Sequence, residues 1–118
     1  MNKIELQHNL SAFLKTFSQQ HKTRATRIGV FEGEPAALTD YWLEDGLPLE
    51  GIDIDAHGDK YPTIEIMLGN AQQPGSRTFT HTITKTRFIK IILSAGGESD
   101  GLEIEDESGA ITILRFEN

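Results

Sequence analysis

The spacing of apolar residues predicts one helix near the start of the chain. Apolar residues recur there at spacings of three and four, which is the period of one face of an α-helix. Asn9 is a suitable N-cap, because its side chain can accept hydrogen bonds from the free amides of the first turn. The pattern predicts a helix that ends near His21 and buries its apolar stripe in a core: Leu6, Leu10, Phe13, Leu14 and Phe17.

Beyond the helix the apolar period changes to two, which is typical of half-buried β-strands. Alternation predicts strands over 25–32, 52–55 and 64–68, and two more over 77–93 with a bend near Lys85. The segment 35–43 fits either a short helix or a strand, and its β-rich surroundings favour a strand. One parity of 77–93 is a row of threonines, predicting a solvent-facing surface or an exposed edge that pairs with another chain: Thr78, Thr80, Thr82, Thr84 and Thr86.

The final segment, GLEIEDESGAITILRFEN, is predicted to form a β-hairpin with Gly109 in its turn. An even number of loop residues would place Ile104 on the same face as Ile111 and Ile113, whereas an odd number would oppose Ile104 to Thr112. We predict the even loop. The acidic side chains that alternate with the apolar ones should then point away from the core: Glu103 and Glu105.

These elements predict an α+β fold formed by a single domain over residues 1–118. The N-terminal amphipathic helix packs on a curled, mostly antiparallel sheet of about six or seven strands. A chain of 118 residues is long enough to bury a core of its own.

Composition narrows the classes of protein to consider. The chain has no cysteine, which excludes disulfides, thiolate nucleophiles and zinc sites built on cysteine. Its longest apolar runs are three residues, as in IIL at 91–93, and the stretch MNKIELQHNL lacks the apolar run of a secretory signal. We therefore expect a soluble, cytoplasmic protein without a membrane-spanning segment.

Charge is unevenly distributed along the chain. The net charge of −7 disfavours nucleic acid and anionic membranes as partners. Residues 28–59 carry nine acids and no base, whereas residues 66–97 carry four bases and no acid. One interpretation is that basic and acidic strands lie side by side in the sheet. The other is that an acidic face binds a basic protein partner, with these candidate residues: Glu103, Glu105, Glu107, Asp53 and Asp55.

The stretch DIDAHGDKYPTIEI resembles a calcium-binding loop at its start only. Asp53, Asp55 and Gly58 match the first, third and sixth positions of an EF-hand loop, but Ile64 stands where that loop needs a bidentate glutamate. The flanking residues also have strand period. We therefore interpret the stretch as a turn between two strands and predict no metal and no cofactor; the candidate ligands, were one to bind, are Asp53, Asp55, His57 and Asp59.

Residues 97–101, GESDG, match the G-x-S-x-G pattern of hydrolases, in which a helix must follow the serine. The residues after Ser99 have strand period instead, so a hairpin connection is predicted. The histidines show no spacing with Asp or Ser that indicates a catalytic triad or a zinc site: His8, His21, His57 and His81. We predict no catalytic residues.

Several short stretches together carry a resemblance to a known family. They are WL before LPLEGIDID, the acid-rich turn at 53–59, IEIML, FTHTI with RFIKI, and LEIEDESGAITILRF. In this order, over about residues 8–117, the chain resembles a small bacterial family of uncharacterised proteins, a domain of unknown function. The resemblance implies an N-terminal helix followed by antiparallel strands. It implies no activity and no site residues.

Two functions fit these observations. The favoured one is a non-enzymatic protein-binding module, such as an inhibitor, an immunity-type protein or an accessory factor. It would act through an acidic surface or a free sheet edge, and an edge-strand dimer is included in this hypothesis. The alternative is a small-ligand-binding or enzymatic domain with a dispersed site, for which the candidate residues are Tyr41, Trp42 and His81.

Overall fold

The computed structural model describes residues 3–31, 42–55, 62–70, 73 and 75–117, and the side chains of the helix from Leu10 onward. These residues form an α+β fold with one helix and seven strands. The elements are α1 (Lys3–Gln20), β1 (Ala25–Phe31), β2 (Trp42–Asp55), β3 (Thr63–Gly69), β4 (Thr78–Ile83), β5 (Thr86–Leu93), β6 (Ser99–Asp106) and β7 (Ile111–Phe116). Of the ambiguous segment 35–43, residues 35–41 lie outside the described ones, and the last two begin β2.

The helix packs the described part of its predicted apolar stripe on the sheet, and the side chain of Leu6 lies outside that part. Leu10, Leu14 and Phe17 are buried, and each such side chain contributes about 1.5–3 kcal/mol on burial. The three together approach the net stability of a small domain, about 5–15 kcal/mol, so the helix is an integral part of the core. The predicted end near His21 is confirmed, but the predicted start is wrong: the helix begins at Lys3, so Asn9 lies inside it and is not its N-cap.

All seven strands belong to one antiparallel sheet with the order β4-β3-β2-β1-β7-β6-β5. The predicted helix-on-sheet architecture is confirmed. Strand β2 joins the two halves of the sheet, because its first part pairs with β1 and its second part with β3. Its length of 14 residues was not predicted, since Gly46 and Pro48 interrupt the alternating pattern. Gly46 has a φ of 108°, a conformation that favours glycine.

The sheet is strongly curled. Strands β4 and β5 lie at its opposite edges, yet only residues 84–85 separate them. In a flat sheet, six strand spacings would hold them about 29 Å apart, farther than so short a link can span. Curling brings the start of β5 back to the start of β3, where the Thr86 amide donates to the Pro62 carbonyl at 3.0 Å. Strands β4 and β5 do not pair, so the sheet is not closed into a barrel.

The core lies between α1 and the concave face of the sheet. A contact between β4 and β7 marks this face, since the His81 and Thr112 side chains meet at 3.3 Å although three strands lie between them. The buried apolar residues form one cluster: Leu10, Leu14, Phe17, Ile28, Leu49, Ile52, Ile64, Ile66, Leu68, Ile83, Leu102, Ile104, Leu114 and Phe116.

The register of the last hairpin differs from the predicted one. Ile104 opposes Thr112, which is the arrangement of an odd loop. Thr112 and Leu114 are buried on the concave face with Ile104. The even-loop prediction is therefore wrong, and the two isoleucines expected in the core lie instead on the convex face, next to Glu103 and Glu105: Ile111 and Ile113.

An aspartate accounts for the odd loop. The backbone amide of Asp106 donates to the Ala110 carbonyl at 3.0 Å, which closes a loop of three residues, 107–109. The Asp106 side chain accepts hydrogen bonds from the amides of Ser108 and Ala110, at 2.9 and 3.1 Å. Gly109 has a φ of 92°, and glycine in this conformation is typical of three-residue hairpin loops. Local side-chain hydrogen bonds thus override the apolar alternation.

The threonine row is confirmed on β4 and at Thr84, which is also exposed. Thr78, Thr80 and Thr82 are exposed, while the residues between them face inward. Thr86 is buried, contrary to the prediction. The reason is the predicted bend: Lys85 has a φ of 53°, and after this break Thr86 faces the core, opposite Asp106. A register irregularity between Thr86 and Phe88 then returns the core-facing positions to Ile89 and Ile91.

Candidate functional site

Strand β5 exposes apolar side chains that the fold does not cover. Phe88, Ile91 and Leu93 are 55%, 41% and 61% exposed. Within the described part of the chain, β6 is the only ladder partner of β5, so beyond the Thr86 amide, which donates to the Pro62 carbonyl, the other edge of this strand is unpaired. An unpaired edge with apolar side chains is a surface on which another strand can add. We call it the β5 edge and define it by Phe88, Lys90, Ile91 and Leu93.

The concave side of the sheet is incompletely covered at this edge. Ile91 lies opposite Leu102 in the ladder, and Ile89 lies opposite Ile104. Leu102 and Ile104 are fully buried, whereas Ile91 is 41% exposed and Ile89 is partly buried. The apolar row of the core therefore continues to the rim of the sheet. A further strand beside β5 would cover it.

The β5 edge is also basic. Arg87 and Lys90 are exposed on β5, and no acid occurs between residues 66 and 97. The guanidinium carbon of Arg87 lies 5.2 Å from the centre of the Phe88 ring, so its cation covers part of that apolar surface. The charges that β5 itself carries are thus opposite in sign to the net charge of the chain.

The sequence contained one signal for this edge. A half-buried strand needs apolar residues on one parity only, but RFIKIIL has them on both parities. Such a strand is either buried on both faces or contacts something else. The exposure of Phe88, Ile91 and Leu93 shows that the fold does not bury β5 on both faces.

The predicted acidic residues of β6 point away from the core and lie beside bases or apolar groups. Glu103 is opposite Lys90 in the β5–β6 ladder, and Glu105 is opposite Phe88. Both are half-buried. Glu107 lies in the loop, with its carboxylate 3.9 Å from Nζ of Lys85. Basic and acidic segments therefore do lie side by side here, as the first interpretation of the charge pattern expects.

The remaining predicted acids lie on β2. Asp53 and Asp55 are exposed, and Asp53 is opposite Glu65 of β3. Like charges in direct opposition are unfavourable. His57 and Asp59 lie outside the described residues. Among the described ones there is no group of three or more His, Asp or Glu side chains that could hold a metal ion.

Folding brings Ser99 next to His21, a contact that sequence spacing did not indicate. Oγ of Ser99 lies 3.0 Å from Nε2 of His21, although the two residues are 78 positions apart. Ser99 begins β6, so a strand follows the GESDG motif, as predicted. His21 follows the last turn of α1. A serine hydroxyl at this distance from an imidazole is the geometry of an activated nucleophile, which makes the protonation of His21 decisive.

The contacts of His21 assign its proton to the wrong nitrogen for catalysis. Nη1 of Arg24 lies 2.9 Å from Nδ1 of His21. A guanidinium can only donate, so Nδ1 accepts and the proton of the neutral ring sits on Nε2. Nε2–H then donates to Ser99 and has no lone pair with which to take the serine proton. A triad needs the reverse arrangement, with an acceptor at Nδ1–H.

The surroundings of His21 favour its neutral form. Burial, and next the Arg24 guanidinium, hold the pKa of His21 below its ordinary value, against the opposing effect of the Asp100 carboxylate. Its ring stacks on Phe116 at 4.4 Å and lies 4.6 Å from Phe17. The cluster joins the end of α1 to β6 and β7. Its role in the structure is to hold the helix on the sheet.

The residues of the alternative ligand site do not come together. Trp42 lies on the convex face, with the Arg27 guanidinium carbon 4.8 Å from its ring and Phe31 at 6.1 Å. His81 lies on the concave face against Thr112, and burial holds the pKa of His81 below its ordinary value. Tyr41 lies outside the described residues. The site formed by these three residues stays a prediction that the geometry does not favour.

A half-open cleft of about 360 Å³ lies beside the end of α1. Its volume is at the lower end of the range of ligand pockets. Lys22 and Glu50 are the charged residues that line it, and their opposite charges select no ionic ligand. The amide of Thr23 in its wall already donates to the Leu49 carbonyl at 2.8 Å.

Comparisons with known proteins identify no relative. No family model, no curated protein and no solved structure matches the chain. The resemblance to an uncharacterised bacterial family therefore stays a prediction. In the described part of the chain, no helix has the length and apolar character needed to cross a membrane.

Proposed function

We propose that this chain is a non-enzymatic protein-binding module that acts through the β5 edge. The observation that supports this function is the exposure of Phe88, Ile91 and Leu93 on a terminal strand with an unpaired edge. Strand addition uses such edges, since main-chain hydrogen bonds provide affinity and the side-chain pattern provides specificity. A small module of this kind would act as an inhibitor, an immunity-type protein or an accessory factor.

The protonation of His21 supports a function without catalysis. The pair His21–Ser99 is the nearest approach to a nucleophile and base among the described residues, and its proton lies on the nitrogen that faces the serine. An acidic-surface version of the same function uses Asp53 and Asp55, which are exposed. It predicts a basic partner, and the charge reversal of both aspartates tests it.

The experiment is affinity capture from a lysate of the source cells, read by mass spectrometry. Three tagged proteins are compared: the wild type, an edge variant with Ile91→Lys and Leu93→Lys, and a control variant with Thr78→Lys and Thr80→Lys. The control adds the same charges to exposed positions of β4, the other edge of the sheet. Circular dichroism must first show that all three are folded.

The expected result is a protein that the wild type and the control retain and that the edge variant loses. Proteins retained equally by all three are background. If every captured protein behaves in that way, β5 is not the binding surface.

A ligand-binding domain is the second candidate, favoured by the cleft of about 360 Å³ beside α1. A melting-temperature screen against metabolites tests it. A specific ligand at a hundredfold excess over its dissociation constant would stabilise the protein by about 2.7 kcal/mol.

A further inference from the structure

We infer that the partner strand of the β5 edge alternates apolar and acidic residues. This inference rests on the proposed function and specifies the chemistry of the partner. The observations that support it are the side chains of β5 and the sequence of β6, the strand that already pairs with β5.

The first support is the ladder between β5 and β6. The residues of β6 opposite Ile91, Lys90, Ile89 and Phe88 are Leu102, Glu103, Ile104 and Glu105. Apolar residues thus oppose the concave face of β5, and acids oppose its convex face. A strand added to the free edge meets the same β5 side chains, because a side chain on one face of a sheet contacts the side chains of both neighbouring strands on that face.

The second support is the apolar surface of β5 that β6 leaves exposed. Ile91 remains 41% exposed and Phe88 remains 55% exposed after β6 has paired. Apolar side chains opposite Ile89 and Ile91 would cover the remaining surface on the concave side. Lys90 is exposed on the convex side, where an acid is the favourable neighbour.

The third support is the local charge, which argues against a second copy of this chain as occupant. An antiparallel β5–β5 pair centred on Lys90 would place the Lys90 side chains of the two copies opposite each other, and like charges across strands are unfavourable. Strand β4, the other edge, is TFTHTI and carries no acid. Neither edge of a second copy supplies the acids that β5 lacks. The occupant is therefore an acidic strand of another protein.

The test is a titration of ¹⁵N-labelled protein with two peptides, followed by NMR. The acidic peptide is DGLEIED, the sequence of residues 100–106. The basic peptide is KGLKIKK, which keeps the apolar positions. We expect the acidic peptide to shift the amides of residues 87–93 and to bind about fivefold more tightly than the basic one, which corresponds to the upper end of the range for one cross-strand ion pair. Raising the salt concentration should reduce this preference.

Two variants locate the effect. Lys90→Gln removes the positive charge and should reduce the preference for the acidic peptide. Glutamine is chosen because an acid at this position would face Glu103 and repel it. Thr80→Gln on β4 is the matched control and should change nothing. Both variants must give the dispersed NMR spectrum of the folded protein before they are compared.

The outcomes separate this inference from the proposed function. Equal binding of both peptides at β5 would overturn the inference that the partner strand is acidic, while the β5 edge would remain a binding surface. Shifts at β4, or no shift with either peptide, also overturn the inference, while the edge-dependent capture experiment decides on the function independently. A dimer seen by light scattering and lost in the Ile91→Lys variant would make a second copy the occupant and overturn it as well.

Discussion

Replacing Arg77 by alanine should destabilise the protein more than the loss of an exposed cation usually does. The Arg77 guanidinium donates to both carboxylate oxygens of Glu44, at 2.6 and 2.7 Å. The Glu44 side chain is only 7% exposed, while that of Arg77 is 66% exposed. Glu44 lies opposite the fully buried Ile28, on the core side of the sheet. The arginine therefore compensates a carboxylate that the fold has removed from water.

The magnitude follows from this asymmetry. Removing one partner of a fully buried ion pair costs about 3–5 kcal/mol. Arg77 is largely solvated, so water can replace part of what it donates, and we expect a loss of about 2 kcal/mol. For a chain of this length about 1 kcal/mol corresponds to about 4 °C in melting temperature. The Arg77→Ala variant should therefore melt about 8 °C lower.

The assay is thermal unfolding at neutral pH with two further variants. Lys85→Ala is the control, because its ion pair with Glu107 is at 3.9 Å between side chains that are more than half exposed, and should change stability by less than about 0.5 kcal/mol. Glu44→Gln in the Arg77→Ala background removes the unpaired charge and should restore about half of the loss. An Arg77→Ala protein that melts with the Lys85→Ala control would refute the reasoning.

Three further predictions concern the turns and the histidines. Gly69→Ala should lower the free energy of unfolding by about 1–3 kcal/mol, because Gly69 has a φ of 108° and a Cβ there would lie 2.5 Å from the Arg77 carbonyl oxygen. Gly75→Ala is the control: Gly75 has a φ of 79° and open space around it, so the loss in the same denaturant titration should be smaller. Ser99 should not react with a fluorophosphonate probe, and its labelling would contradict the tautomer assigned to His21. Acidification from about pH 7.5 to about pH 5.5 should lower the melting temperature, since the folded-state pKa values of His21 and His81 lie below 6.5 and the unfolded chain takes up protons first. The stability that the neutral histidines contribute is fully present above their pKa in the unfolded chain and is lost as pH falls towards their folded-state pKa. A His81→Gln variant should therefore lose less melting temperature over this pH range. An equal loss in the variant and the wild type would show that His81 does not contribute.

The sequence alone determined the elements of the fold whose signal is local. The stripe of Leu10, Leu14 and Phe17 predicted α1 because a period of 3.6 places them on one face. Alternation predicted most strands, since successive side chains point to opposite faces. The break at Lys85 was predicted from the length of the segment, and the G-x-S-x-G motif was recognised as a hairpin from the strand pattern after Ser99.

Tertiary structure decided where local signals were weak or in conflict. The apolar pattern of the last hairpin favoured an even loop, but the hydrogen bonds of the Asp106 side chain set an odd one. Strand β2 runs through Gly46 and Pro48, because pairing with two neighbours stabilises an extended chain that its own sequence disfavours.

The candidate site depended on strand order, which the sequence could not supply. Basic and acidic segments were visible in the sequence, but only the sheet shows that Lys90 lies beside Glu103 and that β5 is terminal. Similarly, the contact of His21 with Ser99 spans 78 positions and has no local signal. Periodicity reports which face of an element is buried, because burial acts on each side chain separately. Which strand is left at the edge depends on how all seven pair, and the pairing is a property of the whole fold.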